Sequence, residues 1–212
     1  MDEHVTPDSD FWTPTPTETV RRLLTAATAV MAERGYHGTS TQAIIRRAGL
    51  RPAELHDAQP AKAALLYTIT RSGHLHLLDE VRRAVGGAMT PTESICLLIR
   101  AFTAWHARHR EAARVMQYEL GSLSRDEYRE ITALRWEFEA MLRGLLDWGV
   151  ATGEFEIDDL AGTALAILSL GVDVVRWYSD GEPRKPEEIG ELYAGLVIRM
   201  IGTRRPTFRQ PP

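Results

Sequence analysis

Residues 19–66 contain three segments with helical hydrophobic periodicity, and glycines separate them at short intervals. Gly35 follows the first segment and Gly49 separates the second from the third, where glycine makes a tight or left-handed turn easiest. Ser40 or Thr41 can cap the second helix. Two short helices joined by a glycine turn are typical of the helix-turn-helix unit, in which the later of the two helices enters the DNA major groove. In this chain that helix is the third segment. The apolar residues that define the first two helices are Val20, Leu23, Leu24, Ala27, Val30, Met31, Ile44, Ile45 and Ala48.

A series of residues in this segment has a specific order and spacing: Leu23-Leu24, Ala26-Ala27, Glu33-Arg34-Gly35-Tyr36, Thr39-Ser40, Ile44, Ala48-Gly49-Leu50, Leu55, Lys62 and Leu65-Leu66. In these residues the chain resembles the bacterial tetracycline-repressor (TetR) family of regulators. The resemblance implies an all-α homodimer, with an N-terminal head that binds a palindromic operator in double-stranded DNA. It also implies a larger body whose small-molecule effector relieves repression.

The third predicted helix, residues 51–58, departs from the family pattern on its DNA-facing side. His56 stands where the family's tyrosine touches a phosphate, and an imidazole can still donate a hydrogen bond there. Gln59 replaces a phenylalanine that packs inside the head. Glu54 either interacts with the N-terminus of its own helix or accepts a hydrogen bond from a cytosine amino group. The candidate DNA-contacting residues are Thr39, Ser40, Thr41, Gln42, Arg51, Pro52, Ala53, Glu54, His56, Asp57 and Lys62.

Charge is distributed unevenly along the chain. Residues 17–70 have a net charge of +3, residues 71–212 have −3, and residues 1–16 hold four acids and no base. The positive segment is the predicted head, although an overall charge of −4 is not typical of proteins that coat nucleic acid. The single cysteine, Cys96, cannot form a disulfide within the chain, which favours a cytoplasmic protein. The longest uncharged run, residues 160–172, is too short to span a bilayer, so we expect no membrane association.

Hydrophobic periodicity predicts about nine helices and no sheet. We expect a disordered arm over residues 1–16, the DNA-binding head over 17–66, a ligand-binding and dimerisation domain over 67–203, and a flexible tail over 204–212. Ser124 followed by Glu127 is a capping-box signature, and Asp158 or Asp159 can cap a later helix. The predicted body helices are 61–85, one beginning at Thr90-Pro91, 111–120, 124–151, 160–178 and 186–202.

The segment from Leu160 to Tyr178 is apolar on almost every side. A helix with that composition is buried on every side, so in a chain of this length one face meets a second subunit. The family resemblance implies that this helix and the last one pair with their copies in a four-helix dimer interface. The candidate interface residues are Leu165, Leu168, Val172, Val175, Ile189, Leu192, Tyr193, Leu196 and Met200.

Large apolar residues on neighbouring body helices are either plain core or the wall of an effector cavity. Asp173 interrupts the uncharged helix and can pair with Arg176 three residues on. Residues 173–196 are similar to the C-terminal helices of TetR-family regulators of lipid, fatty-acid or sterol breakdown, which implies a bulky hydrophobic effector such as an acyl-coenzyme A. The candidate effector residues are Phe102, Trp105, His106, His109, Met116, Gln117, Arg135, Phe138, Met141, Leu145, Trp148 and Asp173.

Sequence motifs of enzymes are missing: there is no G-x-S-x-G elbow, P-loop or G-x-G-x-x-G turn. His106 and His109 lie three residues apart on one helical face, but no third zinc ligand is readable nearby. His74 and His76 lie two residues apart on their helix and so point in different directions, which favours ordinary polar residues over a shared site. We therefore predict neither a cofactor nor a metal. The alternative to a ligand-responsive repressor is a ligand-binding or protein-interaction module whose altered head reads no operator; an all-helical enzyme has little support.

Overall fold

The computed structural model of the chain describes residues 11–51, 61–179 and 181–202, which form α-helices and one 3-10 turn at Leu120–Ser122. No β-strand occurs among these residues, in agreement with the all-α prediction. In chain order the helices are α1 (Glu18–Arg34), α2 (Thr41–Ala48), α3 (Lys62–Val85), α4 (Pro91–Arg108), α5 (Arg110–Tyr118), α6 (Arg125–Thr152), α7 (Leu160–Val172), α8 (Val174–Trp177) and α9 (Pro186–Ile201).

The ends of α2 are fixed by local hydrogen bonds. At its beginning the hydroxyl oxygen of Ser40 accepts a hydrogen bond from the backbone N–H of Ala43 at 3.2 Å. At its end Gly49 has a φ of 62°, in the left-handed region that suits glycine. Arg22 of α1 donates to the carbonyl oxygens of Ala48 and Gly49 at 2.8 and 2.9 Å, so the end of α2 is held against α1.

The helices of the body pack closely, and α4 and α9 approach each other most tightly at a glycine. A Cβ atom on Gly190 would lie 2.8 Å from the carbonyl oxygen of Arg100, so only a glycine permits this backbone separation. The capping box at the start of α6 is confirmed, because Ser124 and Glu127 exchange hydrogen bonds. The buried core runs through both ends of the molecule and includes Leu24, Ile44, Leu66, Ile69, Ile95, Leu98, Trp105, Leu142, Leu146 and Ile167.

The prediction of one apolar helix over residues 160–178 is wrong in one respect, because this segment forms two helices, α7 and α8. Asp159 caps the beginning of α7 by accepting from the N–H of Gly162, and the helix ends at Asp173. The α8 helix then spans a single turn. The predicted ion pair between Asp173 and Arg176 is confirmed at 3.1 Å, and it bridges the break. An acidic residue in an otherwise apolar segment therefore marks the place where α7 ends and α8 begins.

By length and composition alone, Leu160–Trp177 could cross a membrane, with a mean hydropathy of 1.5. Its break at Asp173 and its two charged residues do not suit that role. Only 28% of this stretch is buried, so apolar side chains face outward. A second set of exposed apolar side chains lies on α9. The exposed residues on the two elements are Leu165 and Leu170 of α7, and Leu192, Leu196 and Met200 of α9.

Residues 11–16 do not form part of a disordered arm, as the sequence had predicted. Phe11 and Trp12 are 0% and 1% exposed and belong to the main hydrophobic core. The backbone N–H of Thr13 donates to the hydroxyl of Ser72 on α3 at 3.1 Å, which holds the segment in place. The many acids and prolines of the N-terminal region concealed this anchor, because two adjacent aromatic residues carry no periodic signal. Residues 1–10 and 203–212 lie outside the described residues.

We expect Phe11→Ala to lower the free energy of unfolding by about 3–5 kcal/mol, the usual cost of removing a buried aromatic ring. Urea denaturation at a fixed protein concentration measures this change. Met89→Ala is the matched control, because Met89 is 82% exposed and its loss should change stability by less than about 0.5 kcal/mol. A similar small effect for Phe11→Ala would show that residues 11–12 do not belong to the folded core.

Candidate DNA-binding head and effector site

The beginning of α2 presents polar side chains outward. Ser40, Thr41 and Gln42 are exposed, as their predicted contact with DNA requires. Thr39 is different: it is 3% exposed and its hydroxyl donates to the carbonyl of Gly35 at 2.7 Å. Its proposed DNA contact is therefore withdrawn, because a hydroxyl that is buried and already bonded cannot reach a phosphate. Thr39 instead closes the turn between α1 and α2.

Lys62 is the first residue of α3, and its ammonium group is used inside the head. It donates to the carbonyl oxygens of Tyr36 and Thr39 at 2.9 and 3.0 Å, and it lies 4.0 Å from the centroid of the Tyr36 ring. These contacts fasten α3 to the loop between α1 and α2. A phosphate contact for Lys62 stays a prediction, and Lys62→Ala would now test head stability as well as DNA binding.

The predicted recognition helix lies mostly outside the described residues. Arg51 is described and exposed, and it precedes that segment directly. The candidate DNA-contacting residues outside the described chain are Pro52, Ala53, Glu54, His56 and Asp57, and Gln59 lies outside it too.

The centre of the body brings together three of the predicted effector residues. The Phe102 ring lies 4.5 Å from the His106 ring and 4.7 Å from the Phe138 ring, measured between centroids. Gly171 of α7 lies directly against Phe102, where a Cβ atom would overlap the ring. Met116 of α5 packs in the same way against Gly73 of α3. The side chains of Met116 and Phe102 are apolar, so they can move without breaking a hydrogen bond. This arrangement supplies a soft apolar wall.

Two buried histidines stand beside that wall. Nδ1 of His74 lies 2.7 Å from the carbonyl oxygen of Thr70, and Nδ1 of His106 lies 2.8 Å from that of Phe102. A carbonyl can only accept, so in each neutral ring Nδ1 carries the hydrogen and Nε2 presents a lone pair. Burial lowers the pKa of each imidazole to about 4. Sequence reasoning missed His74, because neither its spacing nor its neighbours distinguish an inward-facing histidine.

Arg135 of α6 is half-buried in the same region. Burial is the main cause that lowers its guanidinium pKa, and its positive charge also contributes to the lowered pKa values of His74 and His106. Among the residues that the structure describes, no carboxylate forms an ion pair with Arg135. A half-buried cation without a countercharge is costly, so an anionic or strongly polar ligand group would be stabilised here.

The other predicted effector residues divide among three environments. Trp105 of α4 and His109, which lies in the turn between α4 and α5, contact Phe11 and His76. Asp173 is exposed and paired with Arg176, and Trp148 is 38% exposed, so neither faces the interior. Half-buried positions are occupied by Gln117, Met141 and Leu145.

The predicted dimer residues also divide by exposure. Val175 and Ile189 are buried within the subunit at 3% and 0% exposure, so they belong to its own core and leave little surface for a partner. Half-buried positions are held by Leu168, Val172 and Tyr193. The residues left with apolar surface exposed are Leu165, Leu192, Leu196 and Met200, together with Leu170, which the sequence had not singled out.

Comparison with known proteins shows which family has this architecture. Residues 88–201 match the family described as "Tetracyclin repressor-like, C-terminal domain", and residues 23–67 match "Bacterial regulatory proteins, tetR family". The chain belongs to the tetracycline-repressor family. Members of this family are DNA-binding transcriptional regulators, so the prediction of a regulator rather than an enzyme is confirmed.

Individual relatives are similar over most of their length. The crystal structure of a tetR-family regulatory protein from Rhodococcus RHA1 superposes with a TM-score of 0.81 and 31% identity, covering 90% of this chain and 100% of that one. The ketosteroid transcriptional regulator KstR2 of Mycobacterium tuberculosis gives a TM-score of 0.80 and 26% identity, over 87% and 96% of the two chains. The transcriptional repressor KstR2 of Rhodococcus jostii is 26% identical over 179 residues, or 83% of this chain and 87% of the relative.

His106 should make stability depend on pH. Its pKa is about 4 in the folded chain and about 6.5 when unfolded, so the unfolded state takes up the proton more readily. This contribution is therefore complete above pH 6.5 and is lost as the pH falls toward 4. Between pH 7 and pH 5, we expect the group to remove on the order of 2 kcal/mol from the free energy of unfolding.

Urea unfolding of the wild type and of His106→Gln at pH 7 and pH 5 measures that contribution. The free energy of unfolding should decrease less between the two pH values in the variant, whatever the variant's stability at pH 7. His37→Gln is the control, since His37 is exposed and lies far along the chain from the buried cluster. Identical pH dependence of the wild type and both variants would contradict the assignment of His106 as a buried neutral imidazole.

Proposed function

We propose that this protein is a dimeric transcriptional repressor in the bacterial cytoplasm that leaves a palindromic operator when a hydrophobic effector binds. The observation that carries the proposal is the continuity of α3. Its first residue, Lys62, forms hydrogen bonds within the head, and His74, twelve residues later on the same helix, is buried in the body. One uninterrupted helix therefore joins the DNA-binding end to the predicted ligand site. The domain division at residues 66 and 67 is part of the same proposal.

The effector we propose is a bulky apolar molecule with one anionic or carbonyl-bearing end. Phe102, Phe138 and Met116 supply apolar and deformable walls for its hydrophobic part. Arg135 supplies a guanidinium for its charged end, and the Nε2 lone pairs of the buried histidines can accept from its hydroxyl groups. The description of one relative as a ketosteroid regulator supports an effector of steroid-like or lipid-like size.

Release from DNA requires the effector to distinguish two arrangements of the head. A ligand that binds both arrangements equally shifts nothing, however tightly it binds. A typical coupling free energy is about 1–3 kcal/mol, which changes operator affinity by roughly 5–150-fold. Because α3 belongs to both the head and the interior, a ligand wedged between His74 and Phe102 would favour one tilt of this helix.

The dimer we propose is formed by the exposed apolar faces of α7 and α9. Leu165 of α7 is 66% exposed and Leu196 of α9 is 44% exposed, and soluble proteins rarely leave a continuous face of this kind uncovered. A second copy of the chain would cover both. Two heads held by such an interface can address successive major grooves, whose centres lie about 34–36 Å apart.

Selection of genomic DNA fragments by the purified protein at a stated salt concentration tests DNA recognition. We expect a palindromic sequence to be enriched. Leu165→Glu should convert the dimer to a monomer in sedimentation analysis and lose the palindrome, because two charges would meet in the apolar interface. Met89→Glu, a change of an exposed loop residue, should keep both the dimer and the sequence preference. Failure of the wild type to enrich any palindrome would favour a module that does not read DNA.

The effector site is tested with a sterol-derived carboxylic acid and the corresponding alcohol, which differ only in the charged group. We expect the acid to bind more tightly and to release the operator. Arg135→Gln should weaken acid binding by roughly 10–100-fold, the effect of losing a hydrogen bond to a charged group. Arg143→Gln is the control, since Arg143 is exposed on the same helix. Equal affinities of acid and alcohol, or equal effects of the two variants, would exclude Arg135 as the anchor.

A further inference from the structure

His76, Glu80 and His109 converge at one half-buried point between α3 and the turn that joins α4 to α5. One donor atom from each residue, an imidazole nitrogen or a carboxylate oxygen, lies within 4.8 Å of the other two. His76 and Glu80 are four residues apart and so are neighbours on one face of α3. The rings of His76 and His109 meet edge to face with centroids 5.4 Å apart.

We propose that His76, Glu80 and His109 bind a divalent transition-metal ion of the Zn²⁺ type. Two imidazoles and one carboxylate match the nitrogen and oxygen donors that zinc prefers, and they leave a fourth position for water. In a tetrahedral site the ligand atoms lie roughly 3.3 Å apart, so donor atoms that now lie within 4.8 Å of one another would have to approach by at most about 1.5 Å. This inference does not depend on the proposed effector or on DNA binding.

The protonation of the ligands suits a metal ion. Burial lowers the pKa of His76, and it lowers that of His109 to about 3, so both rings are neutral at pH 7. A neutral imidazole and an ionised carboxylate are the forms that ligate metals. Arg108 donates to both carboxylate oxygens of Glu80, at 2.6 and 3.3 Å, and it also lies 3.5 Å from Glu187. Each carboxylate oxygen has two lone pairs, so one remains on each for a metal.

Neighbouring aromatic residues would sense the ion. The indole N–H of Trp105 donates to Nδ1 of His76 at 2.8 Å, which leaves the ring proton on Nε2. A metal bound at Nδ1 would take the place of the indole N–H. A metal bound at Nε2 would require the ring proton to move to Nδ1, which could then no longer accept from the indole N–H. Either way this hydrogen bond changes. The Phe11 ring lies 5.2 and 5.1 Å from the rings of His76 and His109, so it shields the site on one side.

A metal ion here would tie α3 to the part of the body that touches the head. Directly after His109, α5 carries Arg114, which donates to the carbonyl of Ala32 in α1 at 3.0 Å. At the end of α5, Glu119 accepts from the backbone N–H of Tyr36 at 3.0 Å. The site would therefore stiffen the connection between head and body from a position separate from the Phe102 and His106 interior.

The test is calorimetric titration of Zn²⁺ into the untagged, chelator-stripped full-length chain. We expect one ion per chain. His109→Gln and Glu80→Gln should each weaken the affinity by more than roughly 100-fold, because losing a residue that only hydrogen-bonds to a ligand already costs about 10–100-fold. His37→Gln removes an exposed histidine outside the cluster and should leave the affinity unchanged. Absence of saturable binding, or equal effects of His37→Gln and His109→Gln, would overturn the proposal.

A second measurement keeps the proposal testable if the variants do not fold. X-ray absorption of the zinc-loaded wild type should show two imidazole ligands and oxygen donors, with Zn–N distances of about 2.0–2.1 Å. Tryptophan fluorescence should change during the same titration, because Trp105 loses its present hydrogen bond. A sulfur ligand, or fewer than two imidazoles, would place the ion elsewhere and overturn the assignment.

Discussion

The bonding of the Lys62 ammonium to two loop carbonyls is the interaction on which the proposed coupling of head and body through α3 depends. A hydrogen bond from a charged group contributes about 1.5–3 kcal/mol, and here Tyr36 and Thr39 both accept. The Tyr36 ring adds a cation–π contact to the same ammonium. Because Lys62 is also the first residue of α3, the head cannot move without the start of this helix. Two hydrogen bonds of α5 with the head act beside this attachment, but α3 is the helix that continues to His74 in the proposed effector site.

The length of α3 determines how strongly an interior change is felt at the head. His74 lies twelve residues after Lys62, which is about 18 Å along a helix that rises 1.5 Å per residue. A tilt of about 5° around His74 would then displace Lys62 by roughly 1.5 Å. Packed interiors respond in discrete steps rather than by continuous deformation, so the proposed effector against Phe102 would act by favouring one of two arrangements of α3. In the proposed mechanism the long helix converts that preference into a movement of the head.

Helix ends could be predicted from the sequence because their causes are local. Ser40, Gly49 and Ser124 act within three or four residues, and each cap lies where the pattern placed it. The apolar periodicity also gave the all-α fold. The break at Asp173 was missed although its partner Arg176 was correctly assigned, since an i,i+3 ion pair is compatible with both a continuous helix and a broken one.

Contacts between distant segments could not be predicted in the same way. His76 and His109 are 33 residues apart in sequence, and Phe11 is far from both, so nothing local announces that the three rings meet. The sequence argument correctly had His74 and His76 point in different directions. It did not follow that both are ordinary polar residues, because α3 is packed on more than one side. One of them faces the interior and the other faces the α4–α5 turn.

Burial within a subunit and burial between subunits also look the same in a sequence. Ile189 and Leu196 belong to one apolar stripe of α9, yet the first is fully buried and the second is 44% exposed. The difference arises because α4 covers one side of α9, as the close approach at Gly190 requires. In the proposed dimer the other side sets the distance between two heads. Symmetry then doubles the effect of each α3 tilt, because the heads move in opposite senses, and a single-head shift of roughly 1.5 Å changes their separation by up to about 3 Å. Two heads matched to successive major grooves have little tolerance for such a change, so a modest preference of the ligand within each subunit can release both heads together.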